Sequence, residues 1–400
     1  MTTAQRTGPL SGITVVDLTR ALAGPHAAMM MADLGARVIK VENPGAGDET
    51  RSWGPPLVEG SDGDPVATYF LSCNRNKESV ALDLKSQEGQ RLLTDLVRRS
   101  DVLMENFRPG VLDRLGFPTE RLLELNPRLV VLSISGFGHD GPEGGRPGYD
   151  QIAQGEAGLM SMTGSGPDDP QRVGVPIGDL LSGMYGACGV LAALMERERT
   201  GRGQVVRTSL LASFVGVHAF QGTRWTVAGE VPRAQGNHHP SIAPYGLFRC
   251  ADGAVQIACG NETLWRRLCA EFGLDPDTEG LATNAGRVAH RQQVIELLEA
   301  TFADIARADL LERLSAAGIP AGRVRDLQEV YEWEQTRSQG LLVDVEHPTL
   351  GQISLPGPPL RFFDGDGAET TPAQHQSPPL LDQHGDAVRA WLREGSGAGA

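Results

Sequence analysis

The chain has 400 residues, 40% of them hydrophobic and 22% charged, with a formal net charge of −14. That length exceeds what one hydrophobic core usually serves, and it implies two domains. The acidic balance argues against nucleic acid or an anionic membrane as the main partner, while leaving room for an anionic small ligand in a local basic pocket.

In chain order, Ile13 to Leu18 reads as an apolar strand, and Gly24-Pro25 opens a helix running through Met31 and Leu34 to Gly35. Val38 to Val41 is a second strand and Ser79 to Leu84 a third, followed by a helix from about Ser86 to Arg99. Val102 to Met104 and Leu129 to Ile134 are further strands, separated by a helix around Val111 to Leu125. Near-continuously apolar strands spaced by helices are the pattern of a parallel sheet covered on both faces, so a Rossmann-like α/β domain is expected.

Gln204 to Val217 reads as strand then helix, and Thr223 to Pro244, rich in Gly, Pro, His and Arg, as a linker or loop. Tyr245 to Phe248 and Ala254 to Ala258 flank Asp252-Gly253, a hairpin signal. Helices are expected at about Glu262 to Phe272, His290 to Ile305 and Ala308 to Ala317, and strand-like segments from Leu341 to Phe363. The expected division is a large domain over 1–224, a small α+β domain over 225–329 and a C-terminal segment, 330–400, returning to the large domain. Its tail from about 395 is small-residue rich, and disorder is expected there.

The five cysteines (Cys73, Cys188, Cys250, Cys259, Cys269) are scattered and form no C-x-x-C pair, which supports neither a disulfide framework nor a zinc site. His238-His239 is an isolated pair without further ligands at helical spacing, so no metal is expected. Met1 to Leu10 has no apolar signal region, and Leu180 to Met195 is too short and glycine-rich for a membrane span, reading better as a buried core helix. A reducing, cytoplasmic setting is the expectation. No strand is followed by G-x-G-x-x-G and there is no P-loop, so nucleotide chemistry of those two kinds has no support.

Asp179 stands where Gly174-Val175-Pro176-Ile177-Gly178 gives way to the apolar helix. It reads either as an N-cap or as a carboxylate nucleophile on a rigid, glycine-flanked corner. Basic residues recur at the ends of the early strands: Lys40, Arg51, Arg75, Lys77, Arg108 and Arg114. They read either as a solvated rim or, as a set, as a cradle for a phosphate-bearing ligand outside the strands' carboxyl ends.

Several further segments come in a fixed order: Leu10 to Ile13 with Ala23-Gly24-Pro25, Leu34 to Glu42, Gly47-Asp48, Asn74 to Lys77, and Glu105 to Gly110. Asp113 to Gly116, Gly136 to Gly138 and Thr200 to Gln204 follow them. With these segments the chain resembles a class III coenzyme A transferase, of the formyl-CoA and carnitine CoA transferase family, over nearly its whole length. The resemblance implies that Asp179 is the catalytic nucleophile, passing through an aspartyl anhydride and an aspartyl-CoA thioester. It also implies that CoA is a thioester substrate with no tightly bound cofactor, and that the chain forms an interlocked homodimer. It places CoA at Arg20, Ala23, Asn43, Asn106, Phe107 and Arg114, with Lys40 and Arg75 as further candidates, and sets Tyr149 beside the reacting centre. The family's glycine-rich active-site loop appears here as Gly236-Asn237-His238-His239, which points to the branch handling dicarboxylic acids, with a donor such as succinyl-CoA. Arg146 is a candidate for binding a second carboxylate.

Two other readings compete. An α-methylacyl-CoA racemase, on the same fold, has a histidine before the aspartate of the Gly148-Tyr149-Asp150 segment; Tyr149 stands there instead, and a phenol titrating near 10 is a poor general base at neutral pH. A non-catalytic acyl-CoA-binding protein would have no need of Asp179.

Overall fold

The computed structural model describes residues 7–394; the tail expected from about 395 lies outside them. The described chain forms two compact units, one of residues 7–159, 173–226 and 334–394, the other of 160–172 and 227–333. The segment 160–172, expected in the large domain, therefore belongs to the second unit.

The first unit is built on a six-stranded parallel sheet. Its strands are β1 (Thr14–Asp17), β2 (Arg37–Glu42), β3 (Lys77–Ala81), β4 (Val102–Glu105), β5 (Val130–Ser135) and β6 (Val205–Ser209), in the spatial order 3-2-1-4-5-6. This is the doubly wound order, which reverses direction between β1 and β4 and leaves a crevice at their carboxyl ends. Alternate side chains of each strand feed two cores. Val15, Val38, Met104 and Leu132 pack against α1 (Ala23–Asp33) on one face, while Val16, Ile39, Leu103 and Val131 pack against α2 (Gln87–Arg99) on the other. Burial on both faces is why these strands read as unbroken apolar runs.

The expected helix over Val111 to Leu125 is two, α3 (Val111–Arg114) and α4 (Thr119–Leu125). Gly116, at φ +87°, and Pro118 interrupt the backbone between them. Beyond β5 come α5 (Asp150–Glu156) and the long α6 (Ile177–Thr200). The latter packs Ala187, Val190 and Leu194 against the sheet and α1, yet leaves Met184, Tyr185 and Met195 exposed. The expected core helix is thus buried along one face only. The expected Thr223–Pro244 linker starts inside a helix, Ala219–Ala228.

The segment from 334 onward lies in the first unit. Gln376 accepts from the Asn76 N–H at 3.0 Å, and Asp382 Oδ1 from the Ala81 N–H at 2.7 Å. The second unit has its own three-stranded antiparallel sheet, in which Tyr245–Cys250 and Gly253–Ala258 form the expected hairpin and Ala321–Gly322 adds an edge. Helices Glu262–Phe272, Arg291–Phe302 and Arg307–Ala316 close a core around Phe248, Trp265 and Leu298.

Charge is buried beneath the strand ends. Lys77 Nζ lies 2.9 Å from Asp17 Oδ2, and both side chains are fully buried. The same ammonium donates to the Pro25 carbonyl and Asn74 Oδ1, each at 2.9 Å, which ties β1, α1 and β3 into one frame. A buried pair of this kind contributes little by existing, but removing one partner strands the other in a low-dielectric site. Lys77→Met should cost about 3–5 kcal/mol in urea unfolding, and Asp17→Asn added to it should recover part of that loss.

Candidate active site

Asp179 is the third residue of α6, and it caps nothing. The cap position is Pro176, which has no side-chain hydrogen bond to offer. The amides of the first turn are instead met by Asp150, whose Oδ1 accepts from Gly178 N–H at 2.7 Å and, more weakly, from Asp179 N–H at 3.4 Å. Its other oxygen accepts from Gln154 Nε2 at 2.6 Å, and Gln154 Oε1 in turn accepts from Val173 N–H at 2.9 Å. The N-cap reading of Asp179 is therefore corrected: an aspartate from another helix does that work.

Relieved of capping, the Asp179 carboxylate makes no hydrogen bond among the described residues. Burial first, and the like charge of Asp150 second, lift its pKa from the ordinary 3.8 to about 7. The positive end of α6 pulls the other way, typically by about 1 kcal/mol or less, and loses. Glycine is required on both sides. A Cβ on Gly178 would stand 2.5 Å from the Phe214 ring and 3.0 Å from Asp150 Oδ1, and one on Gly183 would stand 2.7 Å from the Ala23 carbonyl oxygen. These two positions let Phe214, α5 and α1 close on the first turns of α6.

Asp179 opens on a cavity of about 370 Å³ at the switch point of the sheet. Arg20 to Ala23 beyond β1, Asn106 to Pro109 beyond β4, and Tyr149 line it as well. A second cavity, of about 480 Å³, lies across the ends of β2 and β3 and is lined by Asn43, Leu84 and Lys85 among others. The two share Arg20, Phe107 and Val111, so they form one groove over the strand ends. Asn106 fixes its middle: Oδ1 accepts from Arg20 N–H and Nδ2 donates to the Arg20 carbonyl, each at 2.8 Å. The Arg20 guanidinium stands 5.1 Å from the centre of the Phe107 ring. Ala21 takes up a left-handed backbone, φ +62°, uncommon for a residue with a Cβ and found here at the wall of the cavity.

Residues 10–385 match the model of CoA-transferase family III. The chain belongs to that family. It is 40% identical to a succinate–glutarate CoA-transferase of Agrobacterium fabrum (strain C58), over 97% of this chain and 96% of the relative. It is 39% identical to the succinyl-CoA:glutarate CoA-transferase of Mus musculus, over 94% and 84%. Among solved structures, a CAIB/BAIF family protein from Brucella suis superposes with a TM-score of 0.85 at 39% identity, covering 97% of this chain and all of that one. These likenesses identify an enzyme of the CoA-transferase class and place it beside the succinyl-CoA:glutarate branch.

In this family III transferase, Arg20, Ala23, Asn106 and Phe107 come together with Asp179 and Tyr149 at one cavity, and Asn43 lies at the adjoining one. Four of the expected phosphate ligands are otherwise engaged, Lys77 with Asp17 and Lys40, Arg75 and Arg51 with other carboxylates. Lys40 borders the larger cavity, but its ammonium is buried against Asp48 and the Thr19 carbonyl, each at 2.9 Å. Burial alone would lower its pKa; the Asp17 and Asp48 carboxylates outweigh burial and raise it. Arg75 lines neither cavity; it is buried, grips Asp33 through Nε at 2.9 Å and Nη2 at 2.5 Å, and donates to the Pro356 carbonyl at 2.7 Å. Arg51 pairs with Glu42 at 2.7 Å. Arg114 is exposed at the end of α3 and lines neither cavity.

The segment Gly236-Asn237-His238-His239 belongs to the second unit. There His239 N–H donates to the Tyr245 carbonyl at 2.9 Å, the His238 ring stands edge-on to Phe248 at 5.5 Å, and Arg291 donates to the His239 carbonyl at 2.8 Å. Burial and the Arg291 charge hold both histidines towards their neutral forms. Arg146 lines the Asp179 cavity with its guanidinium 4.5 Å from the Phe137 ring centre, bonded to Glu156 at 2.6 Å and Glu143 at 3.3 Å.

Sequence reasoning missed Asp150 as the support of the site, since nothing in the sequence says which helix start it faces. It also missed Lys85, an exposed cation directly beyond β3, which reading on past the strand end would have found.

The raised pKa of Asp179 has a sign for stability. Between about pH 4 and about pH 7 the folded chain holds a proton that the unfolded chain has released, so rising pH weakens the fold until both forms are ionised. Asp179→Asn should match the wild type near pH 4 and become progressively more stable than it up to about pH 7, with the gain constant above; urea midpoints at pH 4, 6 and 8 measure this.

Proposed function

We propose that the protein moves CoA from succinyl-CoA, or a closely similar donor, to a small dicarboxylic acid, with Asp179 as the covalent nucleophile. The observation that carries this reading is the unbonded, partly buried Asp179 carboxylate at the end of a groove over the switch point of a parallel sheet. The names of the relatives supply the substrate class.

The steps conserve charge and atoms. Asp179 Oδ⁻ adds to the thioester carbonyl, the C–S bond breaks, and CoA leaves as thiolate, giving an aspartyl–acyl anhydride. The thiolate then attacks the aspartyl carbonyl, releasing the donor acid as carboxylate and leaving an aspartyl-CoA thioester. The acceptor carboxylate adds to that thioester and expels CoA thiolate again. The thiolate finally attacks the acceptor's acyl carbonyl, forming the new acyl-CoA and restoring Asp179. Covalent catalysis of this kind divides one difficult exchange into four similar displacements and keeps the thioester energy.

A carboxylate with a pKa of about 7 suits the role. It is more basic, and so a better nucleophile, than a solvated carboxylate, and a useful fraction is still ionised near neutrality. Burial also limits the water that would hydrolyse the anhydride. Arg20, Ala23, Asn43, Asn106 and Phe107 are assigned to CoA, with Arg108 and Lys85 as exposed cations for its phosphates; Tyr149 is assigned to the acyl group. Arg146 is assigned to the distal carboxylate of the acid, and the Gly236–His239 segment keeps the active-site role implied by the family. A homodimer working in the cytoplasm, with no tightly bound cofactor, completes the proposal.

Intact-protein mass spectrometry after mixing with succinyl-CoA should give a CoA-sized, hydroxylamine-labile adduct on the wild type and none on Asp179→Ala. Deuterium uptake at the α-carbon of a 2-methylacyl-CoA, with no adduct from any donor, would install the racemase instead. The initial rate of adduct formation should rise with pH through about 7, following ionisation of Asp179; a flat profile from pH 5.5 to 8 would exclude that carboxylate as the titrating nucleophile.

A further inference from the structure

The strap Asn106-Phe107-Arg108 lines the groove on both sides of its middle, and its Asn106 side chain is tied to Arg20. The Phe107 N–H has a different anchor. It donates to Glu105 Oε2 at 2.8 Å, and Glu105 is a buried carboxyl with no part in the reaction steps above. On its other oxygen Glu105 accepts from the Ser133 hydroxyl, and Ser133 Oγ lies 2.6 Å from His139 Nε2. His139 Nδ1 faces Ser135 Oγ at 3.4 Å. Glu105 and Ser133 are register partners across β4 and β5, and Ser133 pairs in turn with Arg207 on β6, so a polar row crosses three strands of the sheet.

We propose that Glu105 is a positioning residue for the thioester groove, holding the Phe107 strap through a carboxyl–hydroxyl–imidazole relay with Ser133 and His139. The proposal rests on the reading that Phe107 borders bound CoA thioester. The relay explains why a carboxyl at this place can serve in either protonation state. When Glu105 is ionised it accepts twice, Ser133 donates to it, and Nε2–H of neutral His139 donates to Ser133. When Glu105 gains a proton the chain reverses: Glu105 donates to Ser133, Ser133 donates to Nε2, and the imidazole proton moves to Nδ1 by exchange with solvent. One proton is taken up in all, and Oε2 still accepts from Phe107.

Burial raises the pKa of Glu105, opposed by its bonds from Ser133 and Phe107; burial and the Arg207 charge lower that of His139 and keep it neutral. The other charged groups facing the relay are Asp140, next to His139, whose charge opposes that lowering, and, across a cavity of about 310 Å³, Arg108 from the strap, Asp113 from α3 and Glu120 from α4.

A glutamine would reproduce the relay, its carbonyl accepting from Phe107 and its amide donating to Ser133; alanine would not. By backbone amide exchange at residues 106–108, Glu105→Ala should speed exchange at Phe107 by about tenfold or more, the scale of one lost hydrogen bond to a charged group. It should raise KM for the acyl-CoA by a similar factor with kcat changed by less than about threefold, whereas Glu105→Gln should stay near the wild type in both. Ser133→Ala, a smaller change, should move exchange and KM in the same direction and serves if the alanine variant of Glu105 does not fold. Unchanged Phe107 exchange in Glu105→Ala, a glutamine no better than alanine, or a loss of kcat at constant KM would each overturn the proposal. A wild type that turns over no thioester would instead overturn the functional reading, while the exchange experiment would still report on the relay.

Discussion

The hydrogen bond from Gly178 N–H to Asp150 Oδ1 is the contact on which the site depends. A helix start needs acceptors for its free amides, and most helices take them from their own cap residue. Here the cap position is proline and the acceptor comes from α5. The third residue of the helix, Asp179, is thereby free of structural duty, and it is placed beside a second negative charge where water is scarce. That interaction fixes the corner, while burial first and the Asp150 charge second lift the carboxylate's pKa.

The groove owes its place to topology. The strand order reverses between β1 and β4, so the loops that leave these strands splay apart and open a crevice between them. Arg20 and Asn106 stand on the two loops and bind each other across it, which sets the width of the opening where the two cavities meet. The buried pairs Asp17–Lys77 and Lys40–Asp48 lie directly beneath and hold the strand ends in register. Charge under the site is therefore framework, whereas the exposed cations Arg20, Lys85 and Arg108 are those open to a ligand.

This division was not visible in the sequence. Lys40 and Arg75 sit at strand ends, as phosphate ligands do, and nothing in their local context distinguishes a cation facing solvent from one facing Asp48 or Asp33. The partners lie 8 and 42 residues away along the chain, so their pairing is a property of the packed fold. Asp179 presents the same problem in reverse. Its local sequence fits an N-cap, and only the arrival of Asp150 from α5 removes that role.

What the sequence determined by itself is what local chemistry and periodicity can carry: the apolar strands of a covered parallel sheet, a hairpin signalled at Asp252-Gly253 whose turn falls one residue earlier, at Ala251-Asp252, the family through its ordered segments, and Asp179 as the residue to watch. Tertiary structure decided the rest. It sent 160–172 to the second unit and turned half of the expected basic cradle into buried ion pairs. The physical reason is common to both. A side chain's charge, exposure and hydrogen-bond partners are set by what folds against it, and one sequence window does not contain its neighbours in space.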